Sequence, residues 1–97
     1  MFKKIKESKD YIKKILIGTD KEILGTKVEW LEDKAKIQIT FTLKDNIPMV
    51  IKLKLKGDID YDMSILLETI RTSPYYVDYY SNIIGIINKN ILKLSTK

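Results

Sequence analysis

The sequence predicts an α+β fold, a three-stranded antiparallel meander with helices packed on one face. Residues 36–44 alternate between apolar and polar side chains, and residues 49–56 do so apart from Val50, as half-buried strands do. Flanking segments place apolar residues at helical spacing, which is typical of amphipathic helices. The expected order is α-β-β-β-α-α in a single domain, 1–97, arranged as a two-layer sandwich.

The first helix is predicted over residues 2–17, with Gly18 as its C-terminal stop. Its apolar stripe comprises Phe2, Ile5, Ile12, Ile15 and Leu16. Residues 22–31 are the first predicted strand. One of its faces is expected to carry Leu24, Thr26, Val28 and Trp30, and the other Ile23, Lys27, Glu29 and Leu31. Gly25 indicates a β-bulge or a later strand start.

The second and third strands share one apolar face. It comprises Ile37, Ile39, Phe41, Leu43, Met49, Ile51, Leu53 and Leu55. The connections are short: Glu32-Asp33-Lys34 joins the first two strands, and Asp45-Asn46-Ile47-Pro48 joins the second to the third. Connections of this length join antiparallel neighbours, so the three strands are expected to form a meander.

Two helices are predicted after the sheet. The first covers about residues 60–72, capped by Asp58 or Asp60, and has Met63, Leu66, Leu67 and Ile70 as its apolar stripe. The second begins at Ser73 and Pro74, which suit the N-cap and the first helical position. Its expected stripe is Val77, Tyr80, Ile84, Ile87 and Ile91. Residues 91–95 either end this helix or form a short fourth strand.

The composition excludes several chemistries. The sequence has no cysteine and no histidine, which rules out disulfides, Cys/His zinc sites, haem ligation, Cys–His nucleophiles and Ser-His-Asp triads. No glycine-rich phosphate loop is present either. No apolar run approaches the ~20 residues of a membrane span. The sequence therefore predicts a cytoplasmic protein that is not an enzyme, has no cofactor and has no membrane partner.

One acidic run invites comparison with a metal site. Asp58-x-Asp60-x-Asp62 resembles the opening of a calcium-binding loop. Such a loop needs glycine at its sixth position and glutamate at its twelfth, where this chain has Met63 and Thr69. The run is instead expected to cap the second helix, and no metal site is predicted.

The outward face of the sheet is expected to be rich in lysine. It comprises Lys27, Lys36, Lys44, Lys52, Lys54 and Lys56, opposed mainly by Glu29. One interpretation is a solvated face whose charges discourage aggregation. The other is binding to a nucleic-acid backbone. Base stacking is not expected because the outward positions carry no aromatic residue, and Arg71 is the single arginine of a lysine-rich chain.

Tyrosines cluster at the start of the predicted third helix. Tyr75, Tyr76, Tyr79 and Tyr80 fall within six residues, followed by Ile83 and Ile86. Large, stiff side chains with a polar tip are common anchors of protein interfaces. The alternative is that the rings cover the edge of the core.

The order α-β-β-β-α over residues 2–72 is similar to that of double-stranded-RNA-binding domains. That family grips RNA with a His-bearing loop between its first two strands and a lysine cluster opening its final helix. Here the loop is Glu32-Asp33-Lys34 and the helix opens with Asp58, Asp60 and Asp62, so no binding residue carries over. The full order also looks like that of some small phage-encoded inhibitors of RNA-guided nucleases.

The sequence thus predicts a small non-catalytic binding or regulatory protein, such as an inhibitor or adaptor of a larger machine. The expected partner is another protein or a second copy of the chain, bound through Tyr75, Tyr76, Tyr79, Tyr80, Ile83 and Ile86. The alternative is backbone-level contact with nucleic acid through the lysine face.

Overall fold

The computed structural model describes residues 2–32 and 35–95, and within them the predicted order α-β-β-β-α-α is confirmed. The helices are α1 (Phe2–Leu16), α2 (Ile59–Arg71) and α3 (Tyr80–Ser95), and the strands are β1 (Ile23–Trp30), β2 (Lys36–Leu43) and β3 (Ile47–Lys54). Two short 3-10 turns occupy Lys44–Asn46 and Val77–Tyr79. Asp33 and Lys34 of the predicted first turn, and the side chain of Phe2, lie outside the described residues.

The sheet is an antiparallel meander in the order β1-β2-β3. Ile39 at its centre pairs with Val28 on one side and Ile51 on the other. The predicted apolar face of β2 and β3 is confirmed, because all of its residues are buried and form one core with the helices: Ile37, Ile39, Phe41, Leu43, Met49, Ile51, Leu53 and Leu55. Period-two alternation therefore gives this sheet one buried face and one open face.

At the first residues of β1, the side chains that point toward the core are not the predicted ones. The register shifts between Ile23 and Gly25, which is the bulge that the glycine indicated. An extra residue reverses the alternation, so Ile23 is 0% exposed and Leu24 is 47% exposed. The prediction that Leu24 shares the inner face with Val28 was wrong for this reason.

The turn between β2 and β3 is tighter than predicted. Three residues, Lys44 to Asn46, separate the paired Leu43 and Ile47. Asp45 and Asn46 both have positive φ, at 69° and 61°, a conformation that Asp and Asn tolerate better than most residues. The third strand therefore resumes at Ile47, not at Met49, and ends at Lys54. Pro48 lies inside this strand, where it is tolerated because β3 is an edge strand.

Helices α1 and α2 match the prediction closely. Ile12, Ile15 and Leu16 of α1 pack into the core, and α1 ends before Gly18, whose φ of +142° lies in a region that favours glycine. Asp58 is the N-cap of α2 and accepts a hydrogen bond from the backbone N–H of Tyr61 at 3.1 Å. Capping by the acidic run is thereby confirmed.

Helix α3 begins later than predicted, at Tyr80 instead of Pro74. Ser73 does accept bonds from the backbone N–H groups of Tyr75 and Tyr76, each at 3.3 Å. The chain then makes an isolated turn and the 3-10 turn at Val77–Tyr79. The later start changes the helical phase, so the buried stripe is Ile83, Ile86 and Ile87. Val77 and Ile91, placed on the stripe by the prediction, are 41% and 44% exposed.

Residues 91–95 continue α3, so they do not form a fourth strand. None of the described helices has the length and apolar character needed to cross a lipid bilayer.

Candidate functional sites

The four tyrosines lie mainly before α3, in the segment 73–80 that links it to α2. We call this segment the tyrosine turn. Its backbone is held locally: Val77 N–H donates to the Ser73 carbonyl at 3.1 Å, and Tyr79 N–H donates to the Tyr76 carbonyl at 2.9 Å. The turn is therefore a defined structure that positions its side chains.

The tyrosine turn has an inner and an outer side. Tyr76, Tyr79 and Tyr80 are partly buried and pack against the core. Tyr75 is 81% exposed, and Val77 is 41% exposed. Tyr76, Tyr79 and Tyr80 have the i, i+3, i+4 spacing of residues that share one side of a helix, and Tyr75 falls outside that group.

Ile83 and Ile86, the two isoleucines of the predicted partner surface, lie elsewhere. Both are buried among the core residues. Their side chains are therefore unavailable at the surface of this fold. The prediction left them off its buried stripe because it extended that stripe from Val77 along one continuous helix. Val77 lies before α3, and the buried stripe of the helix includes Ile83 and Ile86 instead.

Three of the six lysines of the predicted lysine face lie at neighbouring positions of β2 and β3, and the other three do not. Lys27 lies on the outward face of β1 and is paired with Glu29 at 3.5 Å. Lys44 falls in the 3-10 turn after β2, and Lys56 follows the end of β3. The others, Lys36, Lys52 and Lys54, lie together on β2 and β3 at one end of the sheet, and we call them the lysine corner.

The lysine corner brings like charges into direct opposition. Lys36 is the cross-strand partner of Lys54, and Lys52 is opposite Gln38. The backbone N–H of Leu55 donates to the Ala35 carbonyl. The neighbouring pair, Lys36 and Lys54, is therefore a non-hydrogen-bonded pair, in which the side chains lie closer together. All three lysines are exposed, and they line an open depression of about 750 Å³ with Leu31, Glu32 and Leu53.

The acidic run contains a buried carboxylate whose role the sequence analysis missed. Asp62 is 1% exposed and accepts three hydrogen bonds. One comes from the hydroxyl of Ser8 in α1, at 2.6 Å. The others come from the backbone N–H groups of Lys56, at 2.9 Å, and Gly57, at 3.1 Å. Asp62 therefore joins α1, α2 and the end of β3.

The loop at Gly57 fits closely against α1. Gly57 has a φ of +92°, and a Cβ there would lie 3.2 Å from the Cβ of Lys4. Both the backbone conformation and the close approach favour glycine. The Asp62 hydrogen bonds thus hold the loop in place, and the lack of a side chain at Gly57 lets it approach α1 closely.

A signal for this network was present in the sequence. Ser8 falls on the apolar stripe of α1, between Ile5 and Ile12, and Asp62 precedes Leu66 by one helical turn. A polar residue on each of two stripes that face the same core is expected to need a partner. Their mutual contact satisfies both groups.

A second polar network joins α3 to the segment after α1. The amide nitrogen of Asn90 donates to the carbonyls of Ile15 and Ile17, at 2.7 Å each. It therefore satisfies carbonyl groups at the C-terminal end of α1 that no helical N–H reaches. Asn82 of α3 donates to Asp20 at 2.9 Å.

Asp20 is the acidic member of this second network. Burial alone would raise its pKa, but the hydrogen bonds from Asn82 and from the backbone N–H groups of Ile23 and Glu22, with the charge of Lys89, together lower the pKa below its ordinary value. A carboxyl with a lowered pKa stabilises the fold above its unfolded pKa. That contribution is lost as the pH falls through the folded pKa.

We expect Asp20→Asn to lower the free energy of unfolding by about 1 kcal/mol at pH 7, a modest loss because the carboxyl is partly solvated. The difference from the unaltered protein should be complete above the unfolded pKa of Asp20 and should shrink as the pH falls through its lower folded pKa, where both proteins come to carry a neutral side chain. Urea unfolding at pH 2.5, 4, 5.5 and 7 measures it. A difference that does not change with pH would contradict the role of the charge.

The acids of the described residues form no metal-binding cluster. Asp20, Glu22 and Asp78 border an open depression of about 750 Å³ with Lys21 and Lys89, and both Asp20 oxygens are engaged by the bonds given above. Across the described ranges no group of three or more carboxylates is placed to hold a metal ion. No protein-family model matches the chain, and no curated protein or solved structure is significantly similar to it.

Proposed function

We propose that this chain is a small non-catalytic binding protein of the cytoplasm that contacts another protein through the tyrosine turn. The observation that carries the proposal is the exposure of Tyr75, 81%, on a backbone fixed by Ser73. The absence of cysteine suits a reducing compartment.

The tyrosine turn has the properties of a preorganised anchor. Tyr75 has only two side-chain torsions to order, and its ring combines a large apolar area with a polar tip. Val77 adds a second exposed apolar side chain nearby in the chain. Because the backbone is already fixed, little conformational entropy is lost when a partner covers the ring.

The partner proposed is a protein, either a different chain or a second copy of this one. A role as inhibitor or adaptor of a larger machine fits a chain of 97 residues that offers an exposed anchor. An interface centred on such an anchor should lose much of its affinity when the ring is removed, since few residues carry most of the binding energy.

The test compares three purified proteins: the unaltered chain, Tyr75→Ala and a control, Tyr61→Ala. Tyr61 lies on α2 and is also exposed, at 47%. Each is used for affinity capture from the source cell extract with mass spectrometry, and each is studied by sedimentation up to about 0.5 mM. We expect a captured protein, or the dimer, to be lost at least ~30-fold in Tyr75→Ala and kept in Tyr61→Ala.

The proposal fails if Tyr75→Ala retains every captured partner and the same sedimentation behaviour as the unaltered chain. It also fails if both tyrosine variants lose the same partner, because the effect would then not depend on the tyrosine turn. Circular dichroism of each variant verifies that the fold is intact.

A further inference from the structure

We infer that the lysine corner, Lys36, Lys52 and Lys54, is a binding surface for the phosphate backbone of a nucleic-acid duplex. This goes beyond the proposed contact through the tyrosine turn and uses a different part of the molecule. It narrows the six predicted lysines to the three that the fold brings together.

The charge balance favours an anionic partner. Among the residues described, Lys36, Lys52 and Lys54 have no acidic ion-pair partner, and Glu32 is the one acid that lines their depression. Lys36 and Lys54 repel each other across the strands, which opposes folding. A phosphate lying between them would turn this repulsion into attraction.

The central strand next to the corner presents polar, uncharged side chains on its outward face. Gln38, Thr40 and Thr42 form the outward column of the central strand, between β1 and β3. Their side chains are only partly buried, so they remain available as hydrogen-bond donors for phosphate or sugar oxygens. Together with the lysines they make an open surface for an extended ligand.

A duplex is favoured over a single strand because of what this face lacks. The outward positions of the three strands carry no aromatic side chain, whereas proteins that hold single strands stack the bases on aromatic rings. A duplex keeps its bases stacked inside and presents mainly phosphates. Lysine also contacts phosphate as a point charge and needs no bidentate geometry.

Fluorescence anisotropy with labelled 20-base-pair DNA and RNA duplexes tests this inference. Three phosphate contacts predict a slope of about −2.7 in a plot of log K against log salt, so binding should weaken about 40-fold between 50 and 200 mM salt. We expect Lys52→Glu/Lys54→Glu to weaken binding at 50 mM salt by at least ~10-fold, and to flatten the slope.

The matched control is Lys3→Glu/Lys6→Glu. Both lysines are exposed on α1, which packs on the opposite face of the sheet. Either pair of reversals removes the same charge, lowering +5 to +1, so the control separates the corner from net charge. It should retain binding within ~3-fold, and Tyr75→Ala should bind the duplex as the unaltered chain does.

A single substitution separates function from folding. Lys54→Glu places a carboxylate opposite Lys36 and is expected to raise the Tm by about 1–5 °C while weakening duplex binding. If the variant bound the duplex more weakly because it was unfolded, its Tm would fall and not rise.

Four results would overturn the inference. They are no duplex binding at 50 mM salt, equal losses in the two double variants, tighter binding of a 20-nucleotide single strand, and competition by polyglutamate as effective as by unlabelled duplex. The last result would assign the corner to an acidic protein surface instead.

Discussion

Replacing Asp62 by alanine is expected to lower the free energy of unfolding by about 3 kcal/mol, the largest loss from any polar side chain described. The substitution removes the acceptor for Ser8 and for the backbone N–H groups of Lys56 and Gly57. Hydrogen bonds to charged groups contribute about 1.5–3 kcal/mol each, and buried donors left unpaired cost further free energy. The contributions share one carboxylate, so they do not add fully.

Urea unfolding followed by circular dichroism and by the fluorescence of the single tryptophan, Trp30, measures this loss. In a domain of this size the Tm should fall by about 12–20 °C. Asp60→Ala is the matched control, because Asp60 lies in the same helical turn and is exposed. Its cost should stay below about 0.5 kcal/mol.

A double-mutant cycle with Ser8→Ala isolates the contact between α1 and α2. The summed losses of unfolding free energy in the two single variants should exceed the loss in the double variant by about 1 kcal/mol, because Ser8 and Asp62 are hydrogen-bonded at 2.6 Å. Additive losses would show that the hydroxyl and the carboxylate stabilise the fold independently. Equal costs for Asp60→Ala and Asp62→Ala would contradict the buried network altogether.

The strand β2 could be predicted in full because its alternation has no interruption, whereas β3 was predicted only from Met49 and carries the apolar Val50 at an outward position. Each residue from Lys36 to Leu43 faces opposite to its neighbour, so one correct assignment fixes all the others. Along this segment the residues favour a strand locally, and their burial alternates as in a strand. A sequence pattern is most informative when these two signals agree.

The phases of β1 and α3 were predicted wrongly because each depends on one local event, and only the bulge in β1 had a signal in the sequence, Gly25. The bulge before Gly25 inserts one residue, and the tyrosine turn delays the start of α3 to Tyr80. Neither event changes the residue types of its segment. The apolar pattern therefore still predicts a strand or a helix, but the wrong residues are assigned to the buried face. Ile83 and Ile86 were placed on the surface for this reason.

For the lysine corner, the sequence predicts which residues share a face but not which of them lie side by side. Alternation predicts that Lys36, Lys52 and Lys54 share a face, but only the register makes Lys36 and Lys54 direct neighbours. That register follows from the three-residue connection Lys44–Asn46, in which Asp45 and Asn46 have positive φ. A longer turn through Pro48, as the sequence suggested, would have paired different residues.

The bulge in β1 makes a sharp prediction for two adjacent residues. Ile23→Asp is expected to lower the free energy of unfolding by more than about 4 kcal/mol, because it loses a buried aliphatic side chain and buries a carboxylate without a partner. Leu24→Asp should cost less than about 1 kcal/mol, because a carboxylate there stays in water. Ile23 is 0% exposed and Leu24 is 47% exposed.

Alanine variants keep this comparison measurable if Ile23→Asp does not fold. Ile23→Ala should cost about 3 kcal/mol through the cavity it leaves, and Leu24→Ala less than about 1 kcal/mol. Urea unfolding of both proteins gives the two values. An unbroken strand would reverse their order, since Leu24 would then share the inner face with Val28. The sign of this single difference therefore tests whether β1 contains the bulge in solution.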